Sequence, residues 1–222
     1  MPSVLPGYIW DKKTGRYRNA STGRFVARQK VLDLLDYALD EQEKRQAQGA
    51  ASFMDEQLDG NVWLVRSKDI LKQSYLQSAA LEAGGWDQLT PRDFGRVGGR
   101  LRIEYARLAS LKDQIDNGQV TYAQVMNRLH MYHGGARALG LSIGREHLPT
   151  PPPGKVRIER RTLGQAEHCD DCVRFVALGW QPEGVLPVPG DESVCDGNCR
   201  CGMTTRLVPE ERASQYYGTK KR

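Results

Sequence analysis

The first 168 residues of this 222-residue chain contain no cysteine; all five cysteines fall between Cys169 and Cys201. Disulfide staples are thereby excluded from most of the chain, which must hold together by packing. Long apolar runs are missing too. No window approaches the roughly 18 residues that a membrane-crossing helix needs, so no membrane partner is expected. The opening MPSVLPGYIWDKK lacks the basic and apolar regions of a secretory signal, and folding is expected in the cytosol. Aromatic residues are scarce at 8%, beside 39% hydrophobic and 27% charged residues, which fits a soluble folded chain with a modest core. Charge of one sign does not dominate either. The formal net charge of +5 permits contact with nucleic acid or an acidic protein surface without demanding it. Catalytic signatures are also absent: there is no Ser/His/Asp arrangement, no phosphate-cradling glycine loop ending in Lys-Ser or Lys-Thr, and no isolated carboxylate pair. The chain therefore reads as a non-enzymatic protein.

What is present divides the chain. Residues 1–27 read as an arm in which Thr14-Gly15-Arg16-Tyr17 is echoed by Thr22-Gly23-Arg24-Phe25. Such a unit suits a short hairpin or an extended clip, with aromatics packed and arginines projecting. Residues 28–148 read as a helical domain. Val31, Leu34, Leu35, Ala38 and Leu39 form one apolar stripe, and the polar EQEKRQAQ after it predicts a helix running on into solvent. A second helix is expected over Val62–Ala83, ended by Gly84-Gly85. Thr90-Pro91-Arg92-Asp93 starts a third with a capping Thr, a proline at the first helical position and an acid at the third. Phe94, Val97, Leu101, Tyr105, Leu108 and Ile115 give its apolar face, and Gly95, Gly98 and Gly99 are read as permitting close helix approach. Asn117-Gly118 stops it. Thr121 with Gln124 makes a capping box for a fourth helix carrying Val125, Leu129, Tyr132 and Leu139. His130 and His133 share a face of that helix. With no third ligand spaced to join them, they read as polar surface residues rather than a metal pair.

Four prolines within Pro149–Pro153 mark a stiff linker. It leads into a strand over Lys155–Leu163, where apolar and basic residues alternate, and 149–164 are taken together as linker and entering strand. Residues 209–222 read as a basic tail ending in Lys220, Lys221 and Arg222. Between them, 165–208 hold Cys169 and Cys172 as C-x-x-C, then Cys195, Cys199 and Cys201 as C-x3-C-x-C. Structural zinc takes four tetrahedral ligands, usually two from each of two tight turns, and both groups have that form. Gly197 and Asn198 allow the positive-φ backbone of such a knuckle. Disulfides would leave one thiol over. A thioredoxin-like redox pair would need a βαβ context, and Asp170 and Asp171 beside the C-x-x-C are expected to raise the thiol pKa. Cys169 and Cys172 are the firmest ligands, with two more from Cys195, Cys199 and Cys201, and His168 as a spare. Phe175, Val176, Leu178 and Trp180 supply a small core. The expected fold class is mainly α: a helical body with an N-terminal extended arm and a small, loop-rich zinc-binding module with short strands.

The order Cys169–Cys172, Gly179–Pro182, Leu186–Gly190, Cys195 and Asn198–Cys201 resembles the C-terminal module of tailed-phage head morphogenesis proteins, the Mu F-like minor head group. The Gly-Arg-Tyr and Thr-Gly-Arg-Phe-Val pieces of the arm are similar to other phage proteins of that kind. Relatives often place His-Pro just before Asn-Cys-Arg-Cys; here Cys195 stands slightly upstream in that role. The resemblance implies a structural protein of the phage head, in the virion after assembly in the host cytoplasm. It implies capsid, portal or connector proteins as partners within a multi-copy assembly, and no catalysis. The alternative is a zinc-containing nucleic-acid-binding protein that uses the basic arm with Arg157, Arg160 and Arg161 on DNA.

Overall fold

The computed structural model describes residues 5–164, 168–190, 194–195, 199 and 201–217. The chain divides into two compact units on either side of the Leu148–Pro149 bond. The first unit contains the hairpin β1 (Tyr8–Asp11) and β2 (Arg16–Asn19), then four long helices: α1 (Arg28–Met54), α2 (Gly60–Ala83), α3 (Pro91–Asp116) and α4 (Tyr122–Glu146). The second contains β3 (Lys155–Thr162), α5 (Asp170–Ala177), β4 (Gln181–Pro182), β5 (Gly202–Pro209) and a closing 3-10 helix, Glu210–Gln215. Mainly helical architecture with short strands near the C-terminus is the fold class expected from sequence.

The helices begin where capping chemistry places them. Asp59 accepts from the backbone N–H groups of Asn61 and Val62 at 2.9 and 3.0 Å, so α2 starts two residues before its apolar pattern does. Thr90 and Asp93 form a complete capping box, so the shorter acid serves as well as Glu would; His147 also contacts the Asp93 carboxylate at 2.8 Å. Thr121 and Gln124 repeat the device at α4. The helices then bury the expected stripes, with Val31, Leu35, Leu39, Val97, Leu101, Leu108, Val125 and Leu129 in one core. Phe94 is an exception and is exposed.

Three features differ from the sequence reading. The polar half of α1 does not run into solvent: Gln46 and Ala50 are buried, and Phe53 stacks on Trp63 with ring centroids 5.2 Å apart. Its polar residues face other polar residues. Ser74 on α2 donates to Gln42 at 2.5 Å, and His133 on α4 bridges Ser74 and Gln46 at 3.1 and 2.9 Å. His133 is thus a buried stitch between helices rather than a surface residue, while His130 pairs with Glu43 at 3.0 Å. Nor do the glycines of α3 permit close approach: a Cβ at Gly95, Gly98 or Gly99 meets nothing within 4 Å. The close approach is between α4 and α2, where a Cβ at Gly140 would lie 2.9 Å from the Ser78 carbonyl oxygen.

The hairpin of the N-terminal segment is built into the same unit. Leu5, Tyr17 and Val26 join the helical core, and the Tyr17 hydroxyl donates to the Leu81 carbonyl at 2.8 Å. Trp10 packs edge-on against Tyr17 and over Gly84, which ends α2 at φ +101 and has no room for a side chain there. The arginines stack rather than project: the guanidiniums of Arg16 and Arg18 lie 4.5 and 3.7 Å from the centre of the Phe25 ring.

The two kinds of glycine give opposite expectations. Gly98→Ala should stabilise the helical unit by about 1 kcal/mol, the propensity gain of alanine in open space. Gly140→Ala should destabilise it by about 1–3 kcal/mol through overpacking against α2. Urea unfolding followed by far-UV circular dichroism measures both, and equal effects would contradict the packing described.

Candidate metal centre

The second unit is organised by β3. It pairs antiparallel with β5 along its whole length, from Lys155 opposite Pro209 to Thr162 opposite Gly202, and with β4 at Ile158 and Glu159. Successive side chains alternate between faces. On one face Ile158 and Val208 pack against Ala213, with Val156, Trp180, Tyr216 and Tyr217 around them. The tail read as basic therefore begins with a packed 3-10 helix; Lys220, Lys221 and Arg222 lie outside the described residues.

The other face carries Arg157, Glu159 and Arg161. Glu159 and Arg161 are buried, and the Arg157 side chain is only 8% exposed. Arg157 donates to Glu183 at 2.9 Å and to the Pro149 carbonyl at 2.5 Å. Glu159 accepts from the backbone N–H groups of Gly184 and Leu186, both at 3.0 Å. Arg161 donates to the Pro187 carbonyl at 2.7 Å. The segment 183–187 is thus strapped along the strand, with Leu186 and Val188 buried beneath it.

This frame brings together the cysteines singled out from the sequence. Cys169 is the N-cap residue of α5 and Cys172 lies in its first turn. Asp171, in the same turn, accepts from the Val194 backbone N–H at 3.0 Å and so brings Cys195 against the helix. Cys201 immediately precedes β5, and the strand register places it at the Arg161 end of β3. Cys172 Sγ lies 3.5 Å from Cys195 Sγ and 3.6 Å from Cys199 Sγ. The thiols form two triads, Cys169–Cys172–Cys195 and Cys172–Cys199–Cys201, each with its sulfurs within 4.8 Å of one another. Cys172 belongs to both and is the one thiol the two triads share. His168 Nδ1 stands 3.9 Å from Cys201 Sγ. All five thiols are free of disulfides. Gly197, Asn198, Arg200 and Glu167 lie outside the described residues.

The arrangement could hold a metal ion. Sulfur donors from two chain segments converge in a largely buried pocket, which suits a soft divalent cation. The residue facing them fits the same chemistry. Arg161 Nη2 points at Cys172 Sγ and Cys199 Sγ, at 3.5 and 3.6 Å, a contact that metal-bound thiolates would strengthen. The thiols differ in their proton affinity. Burial pushes the Cys169 thiol up, but hydrogen bonds from the Cys172 backbone N–H and from Cys195 outweigh it and bring it down to about 7. The expectation that Asp170 and Asp171 raise this thiol is therefore overturned, because the backbone donors at the start of α5 decide. Burial, joined by hydrogen bonds with the other four thiols, pushes Cys172 well up.

Sequence reasoning missed Arg161 and Glu159 as parts of this site. The signal is three charges spaced two apart within one strand, whose arginines the sequence reading offers as DNA contacts. Comparison of the chain with protein-family models, curated proteins and solved structures finds no match.

Two outcomes follow for the purified chain. Cys172→Ser should lose stoichiometric metal, because Cys172 stands in both triads; elemental analysis that finds full occupancy would contradict its role as a ligand. In metal-free protein at pH 7, Cys169 should be the first cysteine alkylated by iodoacetamide and Cys172 the last. The Cys169 rate should fall as pH drops below 7 and the thiolate is protonated, as peptide mapping would show.

Proposed function

We propose that this chain is a non-enzymatic virion assembly protein of a tailed phage. It docks on capsid, portal or connector proteins through a module shaped by one structural zinc ion, with the N-terminal hairpin as a second contact. The observation that carries this reading is the cysteine module. Its order of Cys-x-x-Cys, Gly-Trp-x-Pro, Leu-Pro-x-Pro-Gly and Asn-Cys-Arg-Cys resembles that of phage minor head proteins, and its five thiols converge on one place.

Zinc is the ion that best suits the donors. A tetrahedral zinc–thiolate shell has sulfur–sulfur edges of about 3.8 Å, close to the 3.5 and 3.6 Å spacings around Cys172. Four thiolates from Cys169, Cys172, Cys195, Cys199 and Cys201 close the shell and leave no position for substrate, which supports a structural role. Zinc supplies folding free energy to a unit whose apolar clusters are small. The protein's own residues fix the shape: α5 and β5 hold the two ends of the cysteine segment, and Glu159 and Arg161 hold the loop between them.

The nucleic-acid reading has less support than the sequence suggested. Arg157 and Arg161 are committed to internal partners, and Arg18 pairs with Asp11 at 2.6 Å. Arg160, over the Trp180 ring at 4.8 Å, is the one of the three strand arginines left for an outside partner. No helix among the described residues is long and apolar enough to cross a membrane.

Mass spectrometry of purified particles tests the proposal. The wild-type chain should be found in the particles at low copy number, and Cys172→Ser should be missing from them while its helical unit stays folded in the lysate. A wild-type chain absent from particles, or a metal-free variant incorporated normally, would overturn it.

A further inference from the structure

We propose that Arg161 is the internal counter-ion of the metal centre, and that Cys172 and Cys199 are therefore both ligands. The proposal rests on the metal-binding reading above and adds a residue outside the cysteine set.

Arg161 is 1% exposed and carries a guanidinium charge. A buried cation is strongly destabilising unless an anion and hydrogen-bond acceptors face it. Its neighbours are few: the Pro187 carbonyl takes Nη1, the Phe175 ring lies 5.3 Å away, and Nη2 faces the two sulfurs. No carboxylate lies within ion-pair distance of it among the described residues. Glu159, two residues along the same face, turns to Gly184 and Leu186. The anion that Arg161 faces is therefore the thiolate cluster itself.

The charges balance in the loaded state. Four thiolates around a divalent ion carry a net charge of −2, and one guanidinium reduces it to −1. N–H···S hydrogen bonds withdraw charge from the two sulfurs they reach, and such outer contacts orient and hold metal ligands. Without a metal the same guanidinium keeps only the Pro187 carbonyl and uncoordinated sulfur, a weak acceptor. Arg161 thus favours the loaded form and disfavours the empty one. Through Pro187 it also ties metal occupancy to the strapped loop, making it a positioning residue for both.

These opposite signs separate a counter-ion from a merely structural arginine. The test uses the full chain as wild type, Arg161→Met and Arg161→Lys, with zinc affinity measured against a chromophoric chelator and metal-free stability by urea unfolding. Arg161→Met should bind zinc at least about tenfold more weakly, while its metal-free midpoint stays level or rises. Arg161→Lys keeps the charge without the two-pronged geometry and should fall between. In cobalt-loaded protein, Cys199→Ser should remove about a quarter of the thiolate-to-cobalt absorption, one ligand in four. Unchanged zinc affinity in Arg161→Met, or a parallel loss of affinity and metal-free stability, would overturn the counter-ion role. Unchanged cobalt absorption in Cys199→Ser would overturn the ligand assignment. A wild-type chain that binds neither ion would instead overturn the metal-binding reading, and this proposal with it.

Discussion

Arg157, Glu159 and Arg161 leave β3 on the same face and find their partners inside the C-terminal unit, and the rest of that unit is arranged around this requirement. An unpartnered charge in such a place costs several kcal/mol, more than any single apolar contact there returns. The strand therefore dictates where its neighbours go: Glu183, the N–H groups of Gly184 and Leu186, the Pro187 carbonyl and the two sulfurs each answer one of the three charges. Pro187 and Pro189 stiffen the same loop. The cysteine cluster is the far end of this row. Its position follows from the register of β3 with β5 and from the cap of α5, so the site is built on regular elements at both ends.

The helical unit meets a different constraint. Its helices carry many polar residues on faces that become internal, and these residues bond to one another. Gln42, Ser74, His133 and Gln46 link α1, α2 and α4, while Gly140 lets α4 approach α2 at backbone distance. Polar seams of this kind fix one helix register more narrowly than apolar packing alone. The N-terminal hairpin is fixed by the same economy of fit. Trp10 occupies the space over Gly84, and Tyr17 satisfies a carbonyl at the end of α2, where carbonyls lack helical partners. On the proposed reading, the hairpin is a preformed contact surface rather than an arm that orders on binding.

Much of this was legible in the sequence because it depends on local chemistry. Thr90-Pro91 and Thr121 announced two helices to the residue, the Gly84 stop was correct, and the thiol spacing named side chains that the fold brings together. What was hidden depends on distant partners. A polar stretch such as EQEKRQAQ has the same composition whether it faces water or Ser74 and Gln77 of α2 and the histidines of α4. Gly98 and Gly140 are alike in sequence and opposite in surroundings. Arg157 and Arg161 look like DNA contacts until a loop more than twenty residues downstream supplies their acceptors.

The central claim is that the converging thiols hold a metal ion in a closed sulfur shell. X-ray absorption at the zinc edge of the full-length chain, purified without added metal, tests it most directly. A closed thiolate shell gives a first shell dominated by four sulfurs at about 2.3 Å. A first shell of nitrogen and oxygen, or a chain that carries no zinc, would contradict it.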